Sequence, residues 1–237
     1  MLVHGITERS SNWDPIVERL APTNRVITMD LRGHGESGTA ERYDLEAMAG
    51  DVIAVASAAE APSPNLVGHS LGGAVVSAVG AVAPVNSVVN VDQSLQLGAF
   101  KDQLVAAEEA LRDPASFAVV IDALFDQLRG PVLSDAEFAR LSSNRNADQN
   151  VVLGVWEMIL TSPAEEITAT VEAALSGYAA DNTPYLSLFG ADPGPEYAAW
   201  LAGFISSSQV EVWDDFGHYP HLVDPDRFVD LLRQFWG

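Results

Sequence analysis

One stretch constrains this chain more than any other: Asn65-Leu66-Val67-Gly68-His69-Ser70-Leu71-Gly72-Gly73. A short apolar strand runs into Gly-x-Ser-x-Gly, and small residues from Ala74 to Val82 continue as a helix. Glycines on both sides of Ser70 permit a very sharp strand-to-helix turn, because a side chain at either would strike the neighbouring backbone. Such a turn lifts the serine hydroxyl clear of a sheet and points the first helical N–H groups at whatever that oxygen attacks. Ser70 could instead be an ordinary helix N-cap. Strand, turn and helix together favour a nucleophile.

The chain of 237 residues can form one large α/β domain or a domain with an insertion. Its 48% hydrophobic and 19% charged content belongs to a globular protein rather than a disordered one. No apolar run approaches the ~20 residues of a membrane span. Nor does the N-terminus have the layout of a secretion signal, so a cytoplasmic location is expected. The absence of cysteine excludes disulfides, a thiolate nucleophile and Cys-based metal sites. A formal charge of −21 disfavours nucleic acid and anionic membranes as partners and reads as a solvated acidic face. No His/Asp/Glu set has a metal-ligand spacing, and no cofactor is expected.

Strands are predicted at Leu2-Val3, 25–29, 65–67, 85–91, 184–189 and 209–213. Helices are predicted at 13–20, with Asp14 as N-cap, and at 45–59, 74–82, 196–204 and from about 225 to 235. Their alternation argues for a mostly parallel, doubly wound sheet covered on both faces. From 94 to 183 only helical patterns occur, roughly 103–111, 115–128, 135–141, 151–160 and 164–178. The expected organisation is a core of residues 1–93 and 184–237, with 94–183 inserted as an all-helical lid.

Four pieces in order resemble the α/β-hydrolase family over nearly the whole chain. They are Leu2-Val3-His4-Gly5 with Trp13 downstream, the stretch from Asp30 to Ser37, Gly68-His69-Ser70-Leu71-Gly72-Gly73, and Phe216-Gly217-His218 with Pro220. Family members usually carry antiparallel edge strands before the His-Gly turn. Their apparent absence here implies either a misassigned or trimmed start or a reduced sheet whose open edge would promote self-association.

The resemblance implies a serine esterase or lipase-like activity through a catalytic triad. Ser70 is its nucleophile, and needs a base within reach. His218 is that base, because the family pattern sets it directly after glycine; His221 competes and is expected near the pocket mouth. His4, His34 and His69 fall in motif turns with structural roles, as do Asp30, Arg32, Gly33 and Gly35. Two carboxylates are candidates for orienting the imidazole. Asp192 follows the strand after the lid, although two residues past Gly190 where the family usually has three. Asp92 ends the strand after the Ser70 helix, where some family branches place the acid. The backbone N–H groups of Ile6 and Leu71 would form the oxyanion hole.

Phe100, Phe117, Phe125, Phe138, Trp156, Met158 and Tyr178 supply the lid's apolar bulk, mostly as its core, with the remainder lining a pocket. The expected partner is a small to medium carboxylic ester, thioester or lactone. Ser70 argues against the family branches that use aspartate at that position. A carbon–carbon bond hydrolase or a ligand-binding receptor with little turnover remains an alternative.

Overall fold

The computed structural model describes residues 1–180 and 182–237. Six strands form one sheet: β1 (Leu2–Val3), β2 (Thr28–Met29), β3 (Asn65–His69), β4 (Ser87–Val91), β5 (Tyr185–Phe189) and β6 (Ser208–Val212). Their order is β2-β1-β3-β4-β5-β6 and every pairing is parallel. Crossovers from one parallel strand to the next demand helices, and these lie on both faces.

Alternation along each strand divides the core in two. Val3, Leu66, Val88, Tyr185 and Phe189 point to one side, where α2 (Leu45–Ala58), α3 (Leu71–Val82) and α9 (Tyr197–Phe204) pack. Leu2, Val67, Val89, Val91, Leu186 and Leu188 point to the other, against α1 (Asp14–Leu20) and α11 (Pro225–Trp236). Apolar residues on both faces are what a covered parallel sheet requires. Two polar side chains interrupt the first face: Asn90 and Ser187 are both fully buried. There the Tyr185 hydroxyl bonds Ser77 Oγ at 2.7 Å and accepts from Asn90 Nδ2 at 3.3 Å.

Between β4 and β5 the chain forms α4 (Gly98–Arg112), α5 (Phe117–Leu128), α6 (Asp135–Asn144), α7 (Gln149–Thr161) and α8 (Ala164–Leu175), then a 3-10 turn at Ser176–Ala180. This helical insertion has its own core, including Phe117, Phe125, Trp156 and Ile167. The far end of the expected block, to 183, includes position 181, which lies outside the described residues. Phe100 packs on this core, whereas Phe138 joins Tyr219, Tyr178 joins the sheet core and Met158 is exposed.

Two local readings are corrected and one short helix is added. Asp14 does not cap α1 but is its first residue, because a 3-10 turn at Ser10–Trp13 already leads into the helix. The second strand is only Thr28–Met29, shorter than the run from Arg25. The loop after β6 contains a short helix, α10 (Pro220–Val223), which Pro220 starts.

Replacing Tyr185 by Phe removes a hydroxyl shared by two buried polar groups. A loss of about 1–3 kcal/mol in urea unfolding is expected; an unchanged midpoint would mean that this polar cluster contributes nothing to stability.

Candidate active site

The tight turn expected at Ser70 is present, and its backbone is strained. Ser70 has φ 51° and ψ −124°, a region that costs on the order of 1–3 kcal/mol for a residue with a side chain. Neighbouring bonds hold it there: Ser70 N donates to Val91 O at 2.9 Å, and Gly73 N donates to Ser70 O at 2.7 Å. The flanking glycines are sterically required. A Cβ on Gly68 would lie 2.0 Å from Gly72 O, and one on Gly72 would lie 2.2 Å from Val3 O.

Strand register decides what lies beside this turn. His69 pairs with Val91 and Val91 with Leu188, so β3 and β4 end level and β5 runs one residue further. Asp92 is therefore the residue on β4's end next to Ser70. Its Oδ2 lies 2.7 Å from His218 Nδ1, and its Oδ1 accepts from Gly190 N at 2.8 Å. Asp192, the first candidate from sequence, does not meet His218. It is exposed in the loop after β5, and its Oδ1 accepts from Gly194 N at 2.8 Å. The physical reason is that the loop carries Asp192 outward, while the backbone at Gly190 serves the carboxylate of Asp92.

Because Asp92 accepts at Nδ1, the neutral His218 imidazole keeps its proton there and presents the Nε2 lone pair. His218 N also donates to Leu128 O at 2.9 Å, and Gly217 N to Gly190 O at 3.1 Å. Here the end of α5 touches the His218 loop without side chains between them. A Cβ on Gly130 would lie 2.7 Å from Gly217 Cα, and both residues have positive φ.

The turn after β1 completes the arrangement. A Cβ on Gly5 would come within 3.1 Å of Ser70 Cβ, so Gly5 backbone closely approaches the serine. Among the described residues, the Ile6 and Leu71 amides have no hydrogen-bond acceptor. The Ile6 and Leu71 side chains pack into the core of the helical insertion, which therefore covers this end of the sheet.

The remaining histidines are buried. His4 Nε2 accepts from Leu31 N at 3.0 Å while its Nδ1 meets Gly5 O at 2.7 Å, which ties the first turn to the loop after β2. Burial, with neighbouring His34 adding to it, pushes the His4 pKa down to about 4. His34 Nδ1 meets Arg32 O at 2.9 Å. His221 is not near a pocket mouth: it is 2% exposed and packs between Trp13 and His69, with ring centroids 4.7 Å from each. Asp30 spans Ser10 N and Glu36 N, and Arg32 pairs with Asp51, so both fix loops. Among the described residues no cluster of His, Asp and Glu could hold a metal ion, and no helix is long and apolar enough to cross a membrane.

The family model for the alpha/beta hydrolase family matches residues 1–231. The chain belongs to the alpha/beta hydrolase family. A pimeloyl-[acyl-carrier protein] methyl ester esterase of Aliivibrio salmonicida is 27% identical over 252 residues, covering 99% of this chain and 90% of that protein. The solved structure of Est816, described as an N-acyl homoserine lactone degrading enzyme, superposes with a TM-score of 0.76 at 24% identity, covering 99% and 91% of the two chains. The enol-lactonase of Burkholderia xenovorans LB400 gives a TM-score of 0.71 at 20% identity over 99% of this chain and 89% of that one. At those identities the two structures establish the fold.

In this alpha/beta hydrolase the contact between Gly130 and Gly217 makes the insertion part of the His218 loop. Gly130→Ala is expected to cost roughly 1–3 kcal/mol, from positive φ and the backbone collision together. Hydrogen exchange should quicken at the His218 amide. An unaltered exchange rate there would show that the loop keeps its place without the insertion.

Proposed function

We propose that the protein is a serine hydrolase that cleaves a small to medium carboxylic ester, thioester or lactone through an acyl-enzyme. The observation that carries this reading is that the strained Ser70 turn leaves the sheet at the same edge as Asp92, whose carboxylate engages His218 Nδ1. Family membership and the esterase relative support ester hydrolysis as the reaction class.

In this mechanism Ser70 Oγ attacks the carbonyl carbon while His218 Nε2 takes its proton. The Ile6 and Leu71 amides donate to the oxyanion, a contribution typically worth ~10²–10³ in kcat per donor. The imidazolium, stabilised by Asp92, returns the proton to the departing alcohol, thiol or ring oxygen. Water then attacks the acyl-enzyme, giving a proton to His218, which returns it to Ser70 Oγ as the acyl–oxygen bond breaks and the carboxylic acid leaves. Asp92, rather than Asp192, is the acid of this triad. The helical block from 94 to 183 serves as the lid that shapes the acyl or leaving-group pocket, a reading supported by the packing of Ile6 and Leu71 into its core.

A fluorophosphonate probe should label the protein stoichiometrically, and Ser70→Ala should abolish labelling. Folded protein that resists the probe would point instead to a ligand-binding role. Activity across a p-nitrophenyl ester series from acetate to decanoate would then report pocket depth.

Paired substitutions test the acid. Asp92→Asn is expected to lower kcat by about 10³–10⁴-fold, since Asn favours the wrong imidazole tautomer. Asp192→Asn should leave kcat close to that of the unmodified protein. The reverse ranking would return the role to Asp192.

A further inference from the structure

The mechanism above leaves one buried charged group unused. Glu8 follows the turn after β1, is 6% exposed, and sits within the closed interior near Ser70. Its Oε2 accepts from Gly5 N at 2.8 Å and lies 3.1 Å from His69 Nδ1. The other nitrogen of His69, Nε2, lies 2.7 Å from the carbonyl oxygen of His218. Both neighbours of this ring accept hydrogen bonds. A carbonyl oxygen has no proton to give, and Glu8 Oε2 already receives an N–H, which favours the carboxylate anion. The ring satisfies both only with two N–H groups, as an imidazolium.

We propose, resting on the serine hydrolase reading, that Glu8 is a positioning residue: through a protonated His69 it locks the Gly5 turn, the Ser70 turn and the His218 loop into one frame. The three segments are far apart in the chain, and this relay runs from the first to the last through two side chains. Its electrostatics agree with its geometry. Burial opposes charge on His69, but the Glu8 carboxylate and its hydrogen bond outweigh burial and raise the His69 pKa. Burial likewise opposes charge on Glu8, and His69 with the Gly5 amide holds its carboxyl well below the usual range. The other groups facing this pair are His4, His34, His218, His221, Tyr219 and Asp92; His221 stays neutral, its pKa pushed far down by burial and then by the charge on His69. A buried pair of opposite charges costs less than either alone, so removing one member strands the other.

Nitrogen-15 spectra of the histidine rings test the relay in the unaltered chain, with His69→Gln assigning the resonance. Both ring nitrogens of His69 should be protonated at about pH 7, where a free imidazole is mostly neutral. A neutral His69 overturns the proposal, and this holds even where a Glu8 variant fails to fold. In folded Glu8→Gln the second proton should be lost and kcat should fall by about 10²-fold, as expected for misplaced reacting groups, with KM little changed. Glu8→Asp should recover part of that loss. Full activity in Glu8→Gln, with the unaltered protein still labelled at Ser70, refutes the relay and leaves the serine mechanism intact. Absence of labelling in the unaltered protein refutes the serine mechanism, and the ring spectra still decide the protonation of His69.

Discussion

The parallel register of β3 against β4 is the constraint from which the rest of the site follows. His69 opposite Val91 brings the next residue on each strand, Ser70 and Asp92, to the same edge of the sheet. The hydrogen bond from Ser70 N to Val91 O continues that register into the turn, so the strained serine is fixed by the ladder itself. A slip of one residue would send every apolar side chain of β3 to the wrong face. The energy that defines the register comes from the two cores, in which Leu66 and Val88 face one layer while Val67 and Val89 face the other. Burial of ordinary aliphatic residues thereby brings a hydroxyl and a carboxylate to the same edge of the sheet.

Charge at this edge follows a different logic from charge on the surface. The net charge of −21 is mostly solvated, and pairs such as Arg42 with Glu46 are exposed and worth little. Asp92 and Glu8, by contrast, each have an imidazole and a backbone amide as partners: His218 and Gly190 N for one, His69 and Gly5 N for the other. The amides share the work of stabilising each carboxylate, which a lone buried anion could not bear.

Much of this was legible in the sequence because the signals were local. The glycines around Ser70 report a turn whose sterics involve only its own neighbours, and the strand–helix rhythm reports two-sided burial. The family's His-after-Gly pattern pointed to His218, whose imidazole the structure brings to a carboxylate. What was not legible depended on distance. Asp92 and Asp192 both end strands, and only the outward course of the loop after Gly190 separates them. Glu8 carries no motif; in sequence it is an acidic residue beside Arg9 in a polar loop, and burial alone reveals it. His69 read as a structural member of its motif, which describes its burial but not the two acceptors that flank it. For His221, nearness to His218 in the chain suggested a shared pocket, whereas the first turn of α10 directs its ring under the sheet edge toward Trp13.

The helical insertion is joined to the Ser70 edge of the sheet through main-chain bonds, and this limits how it can move. Leu128 O receives the His218 amide, and Thr7 O receives the Asn146 amide at 2.9 Å. Arg140 reaches the carbonyl oxygens of Ser11 and Asn12, each at 3.1 Å. A rigid swing of the whole block would break these together, at roughly 1 kcal/mol or more for each bond left unmade, and would drag His218 and the first turn out of register with Ser70. Movement that keeps these bonds is confined to side chains and to helix faces remote from the joints. The same bonds that hold His218 in place thus set the limit on how widely the block can open without disassembling the site it covers.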